Sequence, residues 1–171
     1  MLTRGVETTN WSHYKSCAMF IACPYCNFKC DKECGKQVCQ NEPLASAPKV
    51  EVSLKLLTNL YCASKVSTAI VFAGLEPFDS LDELTEAVSA FREVTKDPII
   101  IYTGYTKEEL ESGAIHDARA NQECSEKYKQ IRDSGNIIIK YGRFIPDDKE
   151  HLDPILGIKL ASQNQYAERY E

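Results

Sequence analysis

The chain has 171 residues, 43% of them apolar and 26% charged, and carries a net charge of −5. That length suits one domain with a real core, read as a single unit over 1–171 with 1–16 as an N-terminal extension. The acidic balance argues against a nucleic-acid surface or an anionic membrane, and no apolar run is long enough to span a bilayer.

The first ten residues lack the apolar core of a secretion signal. Eight cysteines in such a chain point to a reducing, cytoplasmic compartment, where cysteines serve as metal ligands or redox groups rather than disulfides.

In chain order, residues 1–16 read as polar and irregular. Trp11, His13 and Tyr14 are expected to cover an edge of the core, with no chemistry assigned to His13. Cys17 to Ala22 is a short continuous apolar run, the pattern of a buried strand. Where it ends, Cys23 to Asn41 packs in five cysteines, at 23, 26, 30, 34 and 39. Thiolates crowded into one loop repel one another unless a metal takes up their charge.

Lys49 to Ser64 has the period of a helix, with Val50, Leu54, Leu57 and Tyr61 on its buried stripe. Thr68 to Ala73 is a second apolar strand running into Gly74-Leu-Glu-Pro77. Ser80 and Glu83 have capping-box spacing, and Leu81, Leu84, Val88 and Phe91 form the stripe of the helix that follows. Pro98 to Tyr102 is a third strand, ending in Thr103-Gly-Tyr105. Thr106 and Glu109 form a second capping box.

Residues 117–133 are polar and charged, a solvated helix with Ile115, Tyr128 and Ile131 as its buried points. Asn136 to Lys140 is a fourth strand, followed by Tyr141-Gly-Arg-Phe144. Pro146 to Asp153 is a charged loop, and Ile158 to Ala161 a last short strand. Apolar strands alternating with helices mean parallel strands with helices over them. The length points to an open, partial β/α barrel of about five parallel strands.

The cysteine spacing leaves three chemistries open. Structural zinc prefers two C-x2-C knuckles, and only Cys23-Pro-Tyr-Cys26 is one. An electron-transfer cluster of the ferredoxin kind needs a C-x2-C-x2-C run, which is absent. Three thiolates, Cys26, Cys30 and one later cysteine, would leave one iron of a four-iron cluster open, as a catalytic site requires. Gly74 at a strand end permits close backbone approach, and the Glu76 carboxylate can accept from an ammonium group. No His/Asp/Ser constellation suggests hydrolysis.

From Cys26-Asn-Phe-Lys-Cys30 and Cys39-Gln-Asn41 onward, the sequence resembles the radical S-adenosylmethionine (SAM) superfamily. Within it, the chain is similar to the activating proteins of anaerobic ribonucleoside-triphosphate reductases. Gly74-Leu-Glu-Pro77 resembles the family's G-G-E-P, and Ile101-Tyr-Thr-Gly-Tyr-Thr-Lys-Glu-Glu-Leu110 is the most specific match. Tyr141-Gly-Arg-Phe144 and Ser162-Gln-Asn-Gln165 resemble its closing segments. Together these cover residues 15 to 166.

The resemblance implies a 4Fe–4S cluster on Cys26, Cys30 and Cys39, with Cys34 as the alternative third ligand and residues 31–38 as a stretched loop. It implies that SAM is held by Gly74, Leu75 and Glu76, with Thr103 and Asn164 as further contacts. It also implies reductive cleavage of SAM to a 5'-deoxyadenosyl radical, which takes a hydrogen atom from a glycine of the anaerobic reductase. A flavodoxin-type protein would donate the electron. Tyr105 and the 146–153 loop would form the rim that meets the partner.

Leu75 replaces the family's second glycine and Tyr166 its arginine. Other readings are a radical SAM enzyme with a different substrate, or a non-enzymatic zinc or iron–sulfur module, with Cys23 pairing with Cys26 on zinc.

Overall fold

The computed structural model describes residues 1–115 and 121–171; the start of the expected helix at 117–120 lies outside them. In chain order the elements are β1 (Leu2–Thr3), β2 (Gly5–Asn10), β3 (Ala18–Cys23), α1 (Lys29–Cys34), α2 (Glu42–Ala45), β4 (Val50–Glu51), α3 (Leu54–Ala63) and β5 (Ile70–Gly74). A 3-10 turn (Pro77–Ser80) leads into α4 (Leu81–Val94). Then come β6 (Ile99–Tyr102), α5 (Lys107–Ser112), α6 (Gln122–Arg132), β7 (Ile137–Tyr141), β8 (His151–Asp153), β9 (Ile158–Leu160) and β10 (Tyr166–Tyr170).

The central sheet has the order β10-β7-β6-β5-β3-β2. Its four inner strands, β3, β5, β6 and β7, pair in parallel, while β2 and β10 close the two edges antiparallel. The expectation of about five parallel strands is corrected to four. The N-terminal segment supplies β2 and also β1, which pairs with β4.

Register follows from side-chain bulk. Met19, Ile70, Ile99 and Ile137 stand in one row across the sheet, and Ile21, Phe72, Ile101 and Ile139 in a parallel row. Both rows face the helices and are fully buried. At roughly 1.5–3 kcal/mol for each large apolar side chain buried, these two rows form the main stabilising block. Alternate residues, among them Ala18, Val71, Ala73, Ile100 and Ile138, face the other way, where Tyr14, Leu156 and Leu160 cover them. The same rows bring the strand ends level, Cys23 beside Gly74 and Tyr102 beside Lys140.

Several local expectations change. Helix α3 starts at Leu54, capped by Ser53, whose hydroxyl accepts from Leu56 N. Val50 is in a strand and exposed, because the β-branched Val50 and Val52 after Pro48 favour extended backbone. The Ser80/Glu83 capping box does not form. Ser80 has φ −128° and ψ 48° and caps nothing, while Glu83 accepts from Leu2 N and Glu76 caps the preceding 3-10 turn.

The Thr106/Glu109 box does form. Residues 151–153 of the expected charged loop are strand β8, paired with β9. Trp11 is 65% exposed and covers no core, whereas Tyr14 is buried. Ile115, Tyr128 and Ile131 are buried as expected.

Candidate metal centre

The carboxyl ends of the parallel strands open into a cavity of about 300 Å³. Its lining includes Cys26, Cys30 and Cys39, the strand-end residues Gly74, Leu75, Glu76, Thr103 and Gly104, and Lys140 of β7. Cys34 is exposed on the last turn of α1 and is not part of the lining. Cys23 is buried in β3 beside Gly74, also outside it.

Backbone N–H groups lie near each of the three lining thiols. Phe28 N donates to Cys26 Sγ at 3.3 Å, Phe144 N reaches Cys30, and Asn41 and Glu42 N reach Cys39. Phe28 takes the left-handed conformation, φ 53° and ψ 42°, to make its contact. Burial pushes the Cys26 thiol up to about 12, against the pull of the Phe28 N–H. Burial also raises Cys30 and Cys39. The cavity therefore favours neutral thiols until a cation takes the charge.

Glu76 joins the loops after β5 and β6. It is 7% exposed and accepts from Phe78 N at 3.1 Å, Thr103 Oγ1 at 2.7 Å and Gly104 N at 2.8 Å. These bonds use three of a carboxylate's roughly four acceptor sites, so one remains for a ligand. Burial, with Asp79 nearby, raises its pKa to about 7. Beside it, Lys140 Nζ is buried and donates to Gly142 O at 2.8 Å and, more weakly, to Thr103 O at 3.5 Å. An ammonium has three donors, so one is spare. Desolvation lowers Lys140 to about 8, while Glu76 and Cys30 pull it back up.

The cysteine loop is held from outside the cavity. Asn27 N donates to Asp79 Oδ2 at 2.6 Å and its amide to Tyr105 Oη at 2.8 Å; Tyr105 Oη donates to Asp79 Oδ1 at 2.7 Å. Tyr105 is 2% exposed, so it is an internal strut and not the expected rim residue. Arg143 donates to both oxygens of Glu109 at 2.6 and 2.7 Å, and Lys29 donates to Glu109 at 2.6 Å. Burial raises Glu109, yet these bonds together leave it below its ordinary value. A Cβ on Gly104 would lie 3.5 Å from Glu76 Oε2, 3.6 Å from Arg143 Cγ and 3.9 Å from Cys30 Sγ, which measures how closely the three loops converge.

Asn164 is placed differently. Its amide donates to Arg143 O at 2.9 Å, and it is absent from the lining, where Gln165 stands instead. The Ser162–Gln165 segment braces the end of β7, with Gln165 Nε2 reaching Gly142 O and Ser162 Oγ bonded to Ile145.

Among the lining residues that the sequence left without a role are two whose side chains can meet a ligand. One is Lys140, whose signal was a lysine closing an otherwise apolar strand. The other is His13, which stacks on Phe20 at 4.7 Å and meets Tyr102 edge-on at 5.6 Å.

Among the described residues, no three His, Cys, Asp or Glu side chains stand close enough to chelate one metal ion. A single zinc, at about 2.3 Å from each sulfur, requires that closeness. A multi-iron cluster, with its thiolates on separate irons, tolerates wider spacing. Three cavity-lining thiols with N–H groups near the sulfurs are a donor set that fits such a cluster.

A mostly parallel α/β sheet whose strand ends carry such a set defines a metal-binding α/β protein. Residues 15–155 match the family described as 4Fe-4S single cluster domain, and the chain belongs to that family. No curated protein and no solved structure matches it. Membership supports a single 4Fe–4S cluster. No helix among the described residues is long and apolar enough to cross a membrane.

Proposed function

We propose that this protein is a radical SAM oxidoreductase that cleaves SAM reductively and generates a glycyl radical on an anaerobic ribonucleotide reductase. The observation that carries the reading is one cavity lined by three thiols together with a buried carboxylate and a buried ammonium. Cys26, Cys30 and Cys39 would hold the cluster, leaving one iron for an external ligand. When bound, the cluster supplies the single electron that breaks the carbon–sulfur bond of the sulfonium.

The chain's own residues bind and orient. Glu76 offers its remaining acceptor site to the ammonium of the SAM methionine, and Lys140 offers its spare donor to the carboxylate. The pair thus reads an amino-acid zwitterion at two points. Gly74, Leu75, Thr103 and Gly104 bring backbone close to the ligand, and the His13–Tyr102 wall gives an aromatic surface for the nucleoside. The apolar lining residues Ala73, Ile158 and Leu160 would limit water around the ligand.

In this reading the sheet curves as the open, partial barrel of that superfamily, which admits a protein segment to the cavity. The 146–153 segment, with Leu152 exposed on it and Ile145 exposed just before it, meets the reductase. A flavodoxin-type donor delivers the electron.

The test is anaerobic purification with iron, sulfide and zinc analysis, then electron paramagnetic resonance of the reduced protein with and without SAM. About four irons per chain and a signal that shifts on adding SAM are expected. Zinc in place of iron, or a signal indifferent to SAM, overturns the reading. Radical formation on a purified anaerobic reductase then tests the partner.

A further inference from the structure

Eight residues separate Cys30 from Cys39, with Cys34 among them. Spacing alone leaves Cys34 open, since it stands four positions beyond Cys30 on the same helix face. The structure puts Cys39, and not Cys34, on the cavity. Helix α1 carries Cys34 about one turn, roughly 6 Å, further along its axis than Cys30, and leaves it in solvent. Gly35 ends the helix in the left-handed conformation, φ 65°. The chain then doubles back through three residues without regular structure.

A single oxygen anchors the return. Asp31 Oδ1 accepts from Val38 N at 2.7 Å and from Cys39 N at 2.8 Å. Asp31 follows Cys30 directly, so one residue ties the helix that carries Cys30 to the backbone that carries Cys39. Immediately afterwards α2 begins, and its Leu44 lies over Gly74, against which a Cβ there would sit 2.7 Å from Leu44 Cδ2. The loop is pinned on both sides of Cys39.

We propose that Asp31 is the positioning residue that makes Cys39, and not Cys34, the third thiolate of the metal centre; this rests on the cluster reading above. One carboxylate oxygen accepting two backbone N–H groups is a strong clamp. Without it, two amides lose their partner and the loop regains the conformational freedom that its closure had removed. Asparagine can keep an accepting oxygen at the same place while removing the charge and replacing the second oxygen with an amide NH2.

The test reconstitutes the full chain anaerobically with iron and sulfide, alongside Asp31→Ala, Asp31→Asn, Cys34→Ser and Cys39→Ser. The readouts are iron per chain, the midpoint potential, and circular dichroism as a check of the fold. Wild type, Asp31→Asn and Cys34→Ser are expected to take up about four irons. Asp31→Ala and Cys39→Ser should keep less than about half of that. Asp31→Asn should also titrate at a higher potential than wild type, because a negative charge beside Cys39 is gone.

Full iron in Asp31→Ala with Cys39 still required, or loss of iron in Cys34→Ser, overturns the proposal. If Asp31→Ala does not fold, an Asp31→Asn protein that takes up no iron, or holds it at an unshifted potential, overturns it equally. A wild-type chain that binds no iron removes the cluster reading itself, a result distinct from all of these.

Discussion

The Thr103 hydroxyl donates to Glu76 Oε1 at 2.7 Å and accepts from Tyr105 N at 3.0 Å, so one small side chain links two strand ends across the floor of the cavity. All three residues are buried. Thr103→Val removes both bonds. We expect a loss of about 1–3 kcal/mol in urea unfolding and a still higher Glu76 pKa. An unchanged midpoint would mean that the link carries no stability.

Glu76 makes the stability of the cluster-free protein depend on pH. Its pKa is raised from 4.5 to about 7 by burial, so between these values the folded state holds a proton that the unfolded state has released. The contribution of Glu76 to stability is therefore fully present below about 4.5 and is lost as pH rises to about 7, by on the order of 3 kcal/mol. Glu76→Gln cannot titrate. The difference in unfolding free energy between wild type and this variant should slope downward across that window and flatten above it; a flat difference throughout refutes the assignment.

Lys140 is expected to trade stability for binding. Lys140→Met removes a buried ammonium, and Gly142 O keeps a partner in Gln165 Nε2 at 3.3 Å. The variant should unfold at equal or higher urea concentration. It should take up iron normally but bind SAM about tenfold or more weakly by calorimetry, the usual worth of one charged hydrogen bond. Unaltered SAM affinity would remove Lys140 from the binding site.

Gly74 has φ 83°, and a Cβ there would press on Leu44 Cδ2 at 2.7 Å. Gly74→Ala should cost about 1–2 kcal/mol from the backbone alone, with a further steric cost. Adding Leu44→Ala should recover only the steric part. Full recovery in the double variant would show that the backbone conformation at Gly74 carries no penalty.

The four inner strands were legible because parallel strands buried on both faces read as unbroken apolar runs, and Ile99–Ile101 and Ile137–Ile139 are such runs. The edge strands were not. Gly5–Asn10 and Tyr166–Tyr170 each bury few residues, so their polar sequences carry no strand pattern, and only pairing with β3 and β7 makes them strands. The Thr106/Glu109 box and the Ser80/Glu83 pair look alike in sequence. They differ because Glu83 is drawn to the backbone of Leu2, far away along the chain.

For the site, sequence alone determined that a cysteine-rich loop follows the first parallel strand, and that Gly74, Glu76 and Thr103 stand at neighbouring strand ends. These are consequences of local composition and of strand order. Which residues face one cavity was decided only in three dimensions. Asp31 ties the backbone of Cys39 to the helix that carries Cys30, while the helix axis carries Cys34 into solvent; Lys140 reaches the cavity from the end of an otherwise apolar strand; Asn164 turns its amide to Arg143. Each of these outcomes depends on where a backbone amide, a helix axis or a partner carbonyl lies across the fold, and residue spacing along the chain does not encode such distances.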